Sequence, residues 1–111
     1  MEVKKRLVSR RLGVGHSISD LSAFLEENAF VYLLRCNDKS LYCGWTCDIN
    51  KRVRTHNAGK GAKYTRARLP VELAYFEVYE DKIVAMQREC EIKKLTKPEK
   101  ERLINGTANI I

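Results

Sequence analysis

The sequence lacks the features that mark secreted, membrane-spanning and zinc-scaffold proteins. Its longest apolar run, residues 29–34, is far too short to cross a bilayer, and the basic start, residues 1–11, leads into no apolar signal-peptide core. The four cysteines lack paired C-x-x-C spacing, so we expect free, buried thiols. These absences favour an intracellular protein, cytoplasmic in general and nuclear if the source is a eukaryotic host or a virus.

The composition is typical of one globular domain with a polyanionic partner. A chain of 111 residues with 44% hydrophobic and 32% charged residues can bury its own core. Its 21 basic and 14 acidic side chains give a net charge of +7, which favours nucleic acid or anionic lipid. No amphipathic helix with bulky apolar residues is evident, so we expect no membrane partner, and no obligatory protein partner is indicated.

Three segments have the composition of β-strands. Residues 29–35 and 41–45 are rich in aromatic and branched side chains, and the polar residues 37–40 between them suit a turn, so the three together predict a β-hairpin. Residues 71–79 alternate poorly in polarity but have high β-propensity. We therefore predict a third strand there.

Helical patterns follow the hairpin and the third strand. Residues 48–58 predict a helix whose start Thr46 or Asp48 can cap. Residues 82–96 have helical length and composition, and Pro98 either stops that helix or starts a short one over residues 98–104. This order of elements predicts an α+β fold, a small three-stranded antiparallel sheet flanked by helices.

The chain divides into three predicted segments. Residues 1–28 form a basic N-terminal extension with a candidate helix at residues 20–27, and its cations either bind phosphate or belong to a solvated terminus, which is the commoner case. Residues 29–105 form the folded domain, and residues 106–111 form a C-terminal tail.

A series of short motifs runs through the folded domain. They are Phe30-Val31-Tyr32, then, after nine intervening residues, Tyr42-Cys43-Gly44, then Arg52 and His56, then the stretch from Gly59 to Arg66, and finally Ala85, Glu89, Ile92 and Lys93. The series resembles the GIY-YIG nucleases and is closest to their small stand-alone members, which are YhbQ-like and of the UPF0213 type. Phe30 stands where the name-giving motif has glycine, and the small stand-alone members resemble this chain in carrying an aromatic residue there.

The two motif tyrosines sit on neighbouring predicted strands. Joined by a short turn, Tyr32 and Tyr42 can approach one another and bring two hydroxyls to one end of a cleft, although both would also suit a core. A phenol with its ordinary pKa of about 10 acts as a base near neutrality only where cations or a metal-bound water assist it. Either tyrosine remains a candidate base.

Arg52 and His56 lie four residues apart, so on a helix they address one ligand from the same face or form a solvated surface. A guanidinium suits the charge that develops on a phosphate during phosphoryl transfer, and we assign Arg52 that role. His56 either relays a proton, holds a phosphate oxygen or is an ordinary surface histidine.

Glu89 shares an i, i+4, i+7 ridge with Ala85 and Ile92, which predicts a carboxylate at the edge of the buried helix face. Mg²⁺ often takes a single protein carboxylate and completes its shell with water and substrate phosphate. The alternative is a surface ion pair with Lys93, and Arg88 makes the ridge imperfect. The resemblance favours Glu89 as the ligand of Mg²⁺ or Mn²⁺.

Residues 51–68 contain many cations and no Asp or Glu, which predicts a track for phosphates unless the segment is a solvated loop. Tyr64 adds a ring on which a base could stack. The predicted nucleic-acid-binding residues are Lys60, Lys63, Tyr64, Arg66 and Arg68.

The resemblance implies a divalent-metal-dependent endonuclease that hydrolyses phosphodiester bonds in DNA, with structure-selective or weakly sequence-specific cutting of the kind used in DNA repair or recombination. Single-stranded or branched DNA fits this expectation, and RNA is not excluded. The alternative is a nucleic-acid-binding module that shares the fold and cuts nothing, because a fold does not guarantee a function.

Overall fold

The computed structural model describes residues 28–106, so the predicted helix at residues 20–27, the phosphate-binding role of the extension and the tail beyond residue 106 lie outside it. The strands are β1 (Ala29–Arg35), β2 (Leu41–Thr46) and β3 (Glu72–Tyr79). They form an antiparallel sheet in the order β2-β1-β3. The predicted hairpin, third strand and α+β class are confirmed.

The helices are α1 (Ile49–Asn57), α2 (Lys63–Arg66), α3 (Lys82–Lys93) and α4 (Lys97–Gly106). Three of these correspond to predicted helices, whereas α2 lies between predicted elements, in a segment for which no helix was predicted. A single helical turn of this length carries no apolar periodicity, which is why the pattern gave no sign of it.

Side-chain caps define where the longer helices begin. Asp48 accepts a hydrogen bond from the Lys51 backbone amide at 3.1 Å and so starts α1. Before α4, the Glu99 carboxylate accepts from the Thr96 amide at 2.8 Å and the Thr96 hydroxyl accepts from the Glu99 amide at 3.3 Å. This reciprocal capping box explains why Pro98 lies within the first turn of a new helix rather than simply ending α3.

Both faces of the sheet are buried because β1 alternates strictly between them. One face packs under α3 and α4 and includes Ala29, Val31, Leu33, Cys43, Tyr75, Tyr79, Val84, Ala85 and Ile92. The other packs under α1 and includes Phe30, Tyr32, Leu34, Cys36, Ile49, Val71, Leu73, Phe76 and Val78. The thiols are free, as predicted, but Cys47 and Cys90 are exposed, so the prediction that all four are buried is wrong.

A register shift between Leu33 and Leu34 explains the poor alternation of β3. Leu33 pairs with Tyr75, whereas Leu34 pairs with Leu73, so one residue of β3 bulges out of the ladder. Leu73 therefore faces α1 and Tyr75 faces α3, although they are two residues apart.

The face under α3 also buries a charge pair. Glu77 is fully buried and accepts two hydrogen bonds from the Arg88 guanidinium, at 2.8 and 3.0 Å, as well as bonds from Tyr75 and Tyr79. Burial acts to raise the pKa of Glu77, but Arg88 and the two hydroxyls outweigh it and hold the pKa below its ordinary value. Arg88, the charged residue that interrupts the amphipathic pattern of α3, therefore has a buried partner. Among residues 28–106, no helix is long and apolar enough to cross a membrane.

Candidate functional site

Tyr32 lies at the centre of the face covered by α1, directly opposite Gly44 in the β1–β2 ladder. Its side chain is 1% exposed. A Cβ atom added to Gly44 would lie 2.5 Å from the Tyr32 hydroxyl oxygen. The glycine of the second motif therefore provides the space into which the tyrosine hydroxyl of the first motif fits.

His56 is buried beside this hydroxyl and bonds through both ring nitrogens. Its Nε2 lies 3.0 Å from the Tyr32 hydroxyl, and its Nδ1 lies 2.8 Å from Oγ1 of Thr65 on α2. The Thr65 hydroxyl in turn donates to the Ala62 carbonyl at 3.0 Å. His56 is therefore a fixed member of a buried network and not the ordinary surface histidine considered as an alternative.

Burial shifts the pKa values of both rings away from neutrality. It lowers the pKa of His56 to about 4, and the positive charge of Arg52 acts in the same direction. It raises the pKa of Tyr32 to about 12, although a hydrogen bond from Arg52 opposes the shift. Near pH 7 the imidazole is uncharged and the phenol keeps its proton.

Arg52 reaches the same hydroxyl from one turn earlier on α1. Its Nε donates to the Tyr32 oxygen over 3.4 Å, a long contact. It also lines a shallow depression with Lys51 and Thr55, between the end of β2 and the start of α1. The i, i+4 spacing predicted that Arg52 and His56 address one ligand, and both contact the Tyr32 hydroxyl.

Tyr42 is half-buried and joins the group at its edge. Its ring centroid lies 6.5 Å from that of Tyr32, 5.2 Å from that of His56 and 6.1 Å from that of Tyr64. It opens onto a cleft of about 350 Å³, lined by Leu41, Tyr42, Cys43, Tyr64, Lys93 and Lys100. Of the two predicted tyrosines, Tyr42 is the one that borders this cleft.

Glu89 lies on α3, which packs on the other face of the sheet. Its side chain is 16% exposed and pairs with the Lys93 ammonium at 3.1 Å, which was the alternative weighed for it. Lys93 lines the cleft beside Tyr42, so the ion pair borders the predicted site. Within residues 28–106, no three His, Cys, Asp or Glu side chains gather as a metal cluster. The role of Glu89 as a metal ligand stays a prediction.

The predicted nucleic-acid-binding residues lie in the segment after Gly59, which follows α1 and contains α2. Lys60, Lys63 and Arg66 are exposed. Tyr64 is 39% exposed, and the Arg68 guanidinium lies 3.8 Å above its ring. Arg68 also donates to the Asp38 carboxylate at 3.0 Å and to the Tyr64 carbonyl at 2.9 Å. Arg68 is therefore partly engaged within the protein, whereas the other three cations face solvent.

Sequence reasoning missed Thr65 and Gly61, which complete the surroundings of His56. A Cβ atom on Gly61 would overlap Nδ1 of the imidazole and come within 2.8 Å of its Cγ. Both residues lie in the Gly59 to Arg66 stretch that carried part of the resemblance. Their roles depend on contacts with α1, which local pattern does not reveal.

Comparison with known proteins agrees with this geometry. The family model described as the GIY-YIG catalytic domain matches residues 28–102. The UPF0213 protein of Clostridium perfringens is 55% identical over 77 residues, covering 69% of this chain and 83% of the relative. The UPF0213 protein of Haloquadratum walsbyi is 51% identical over 86 residues, covering 78% and 97%.

A solved structure shares the fold as well as the sequence. The solution NMR structure of a protein from E. faecalis is 36% identical and has a TM-score of 0.52, with 72% of this chain and 85% of that chain covered. The chain therefore belongs to the GIY-YIG superfamily of nucleases and, within it, to the UPF0213 group.

Proposed function

We propose that the protein is a divalent-metal-dependent endonuclease that hydrolyses phosphodiester bonds in DNA. The observation that carries the proposal is the convergence of Arg52, His56 and two tyrosines beside a segment, residues 51–68, that has no acidic residue. A fixed guanidinium next to hydroxyl groups is suited to phosphoryl transfer. The cations of the segment are suited to the backbone of the substrate.

Tyr42 is the phenol that we assign to the attacking water. Tyr32 is 1% exposed and its hydroxyl already bonds to His56 and Arg52, which leaves little room for water. Tyr42 is half-buried and borders the cleft. In the reaction the water oxygen bonds to phosphorus and the bond from phosphorus to the 3′ oxygen breaks. The water proton passes to the Tyr42 oxygen while the phenol gives its own proton to solvent, and the 3′ oxygen takes a proton from solvent as it leaves.

Arg52 is the residue that we assign to the non-bridging phosphate oxygens. Its Nε is directed to Tyr32, and Arg52 lines the depression between β2 and α1, into which its terminal nitrogens can extend. Guanidinium contacts that strengthen as charge develops lower the barrier, typically by a few kcal/mol for one fixed donor. Tyr32 and His56 serve this arrangement by holding the guanidinium in place.

The surroundings of Glu89 fit one hard divalent cation. Its partly buried carboxylate already accommodates a cation, the Lys93 ammonium at 3.1 Å. A single carboxylate suits Mg²⁺ or Mn²⁺, which keep water and phosphate as their other ligands. Glu89 would hold the ion once Lys93 turns into the cleft, and the ion supplies charge stabilisation at the leaving 3′ oxygen.

The same ion pair favours one rival function. Glu89 would repel a phosphate in a protein that only binds nucleic acid, but Lys93 neutralises it in the described structure. A non-catalytic nucleic-acid-binding module therefore remains the second candidate. The two functions differ in whether a metal ion and Glu89 change anything that can be measured.

Cleavage assays on labelled single-stranded, duplex and branched DNA, and on a matched RNA, test the proposal in the presence and absence of Mg²⁺ or Mn²⁺. The variants are Glu89→Gln and Arg52→Ala. Their matched controls are Glu91→Gln, an exposed carboxylate on the same helix, and Arg102→Ala, an exposed guanidinium on α4, outside residues 51–68.

We expect metal-dependent cutting that falls about a hundredfold or more in both test variants and stays near native in both controls. Binding of every substrate without cutting of any, with test variants equal to native, would replace the nuclease by the binding module. Cutting that survives removal of metal, or that Glu89→Gln leaves intact, would refute the role of Glu89.

A further inference from the structure

The hydrogen bonds around His56 form a chain whose direction is fixed at both ends. The chain runs from Arg52 Nε to the Tyr32 hydroxyl at 3.4 Å, to His56 Nε2 at 3.0 Å, and from His56 Nδ1 to the Thr65 hydroxyl at 2.8 Å. It ends at the Ala62 carbonyl, 3.0 Å from the Thr65 oxygen. A guanidinium can only donate and a carbonyl can only accept.

The groups between these ends have one proton each when the imidazole is neutral. Thr65 donates to the Ala62 carbonyl, which also accepts from the Arg66 backbone amide at 3.1 Å, so the Thr65 oxygen is left to accept from His56 Nδ1. Nε2 then carries the lone pair and accepts the Tyr32 proton, which leaves the Tyr32 oxygen to accept from Arg52. This assignment gives every member of the chain a partner, whereas the opposite one leaves the Tyr32 hydroxyl proton without an acceptor in the chain.

We propose that Thr65 is a positioning residue that holds His56 in the Nδ1–H tautomer, so that Tyr32 turns its lone pair to Arg52 and fixes the guanidinium for the phosphate. His56 and Thr65 are both fully buried, and Gly61 closes over the Nδ1 edge of the ring. The Thr65 hydroxyl is thus the polar group that meets Nδ1. Free imidazoles in water favour the opposite tautomer, so the chain needs this partner.

The other tautomer would bring two donors to the Tyr32 oxygen. With the proton on Nε2, that oxygen would have to accept from both His56 and Arg52, and the Tyr32 proton would be left without an acceptor in the chain. The lone pairs that hold the Arg52 guanidinium would then be shared with the imidazole. The catalytic consequence rests on the proposed function, whereas the tautomer itself does not.

NMR of the full chain measures the tautomer directly, because the ¹⁵N shifts of the two ring nitrogens differ between protonated and unprotonated forms. The variants are Thr65→Val, which keeps the shape and removes the hydroxyl, and Thr65→Ser, which restores it. Thr55→Val on α1 is the matched control, since its hydroxyl bonds to the Lys51 carbonyl of its own helix. His16→Gln as background leaves one histidine signal.

We expect the Nδ1–H form in native protein, in Thr55→Val and in Thr65→Ser, and a shift towards Nε2–H in Thr65→Val. In cleavage assays, Thr65→Val should lower kcat by about ten- to a hundredfold with KM little changed, as misplacement of a catalytic group does. Thr65→Ser should recover it.

Nε2–H in native protein, or unchanged Nδ1–H in folded Thr65→Val, would overturn the inference. The native spectrum decides the first point even if Thr65→Val fails to fold. If no nucleic acid is cut but the tautomer responds as expected, the proposed function fails while the assignment of Thr65 to the tautomer stands.

Discussion

The buried neutral imidazole of His56 makes folding sensitive to weak acid. Its pKa falls from 6.5 to about 4 on folding, so the unfolded chain binds more protons between these values. Its contribution is complete above pH 6.5 and is lost progressively as the pH falls towards 4. We expect the free energy of unfolding, measured with urea at a series of pH values, to decline across this window.

The variant His56→Gln should flatten the decline between pH 6.5 and 4.5. Glu77, whose pKa lies below its ordinary 4.5, loses its contribution only below that value, so the two windows separate. His16→Gln is the control for the other histidine. An equal slope in native and His56→Gln proteins would show that His56 is not held neutral by the fold.

Gly44 is predicted to be intolerant of even one methyl group. In Gly44→Ala the new Cβ would lie 2.5 Å from the buried Tyr32 hydroxyl, so the ring must shift away from His56 and Arg52. We expect a loss of about 1–3 kcal/mol in thermal or urea unfolding, as for other overpacked cores.

Gly106→Ala is the matched control for Gly44→Ala, because among residues 28–106 nothing lies within 4 Å of its added methyl group. It should leave stability near native. If Gly44→Ala were as stable as Gly106→Ala, the close approach of Tyr32 to the strand would be wrong.

At the scale of single residues, spacing predicted two pairs of neighbours but not that the pairs meet. Two strands joined by a turn bring Tyr32 beside Tyr42, and an i, i+4 helix spacing directs Arg52 and His56 together. The contact of Thr65 with His56 was not predicted because the two residues are nine positions apart on different helices. The pairing of Glu89 with Lys93 was foreseen only as one of two alternatives.

At the scale of elements, the sequence predicted which segments are strands and helices better than how they face one another. The bulge in β3 breaks its period of two, so simple alternation could not assign Leu73 and Tyr75 to opposite faces. Glu77 resembles an outward-facing strand residue until Arg88 of α3 is placed above it. Such pairing is a tertiary fact that neither element contains alone.

Removal of Arg88 alone should lower the free energy of unfolding strongly, whereas replacement of both Glu77 and Arg88 by apolar residues should lower it much less. Arg88→Met leaves a fully buried carboxylate without its cation, so we expect a loss of about 3–5 kcal/mol in urea unfolding at pH 7. The loss should shrink as the pH falls and the carboxylate of the variant takes up a proton.

The double variant Glu77→Leu with Arg88→Met should recover most of that stability, since neither charge is then buried alone. Arg102→Met, on α4, controls for removal of a positive charge. A small loss in Arg88→Met would mean that the hydroxyls of Tyr75 and Tyr79 suffice to hold the carboxylate.

At the scale of the whole molecule, the two faces of the sheet bury different polar groups. The face under α1 contains the polar chain from Arg52 to Thr65, whereas the face under α3 and α4 contains the buried Glu77, and each face contributes nine buried residues to the core. They meet at the edge strand β2, where Tyr42 from one side and Lys93 from the other border one cleft. Substrate binding should therefore depend on cations near β2 and α2, not on the net charge of the chain.

This dependence gives a prediction for salt. Each phosphate contact that is lost lowers the slope of log K against log salt concentration by about 0.7 for single strands. The double variant Lys63→Ala with Arg66→Ala removes two exposed cations of α2. The magnitude of its negative slope for single-stranded DNA should therefore be smaller than native by about 1.4. Fluorescence anisotropy across a salt series, without divalent metal, measures the slope.

The matched control is Lys82→Ala with Lys94→Ala, two exposed cations at the ends of α3 that line neither the cleft nor the depression. It makes the same change in net charge and should leave the slope near native. Equal losses in both doubles would mean that binding follows overall charge, because a localised track must distinguish cations by position. A reduced slope in the α2 double alone, with little sequence preference among oligonucleotides, is the behaviour expected of contacts to phosphates rather than to bases.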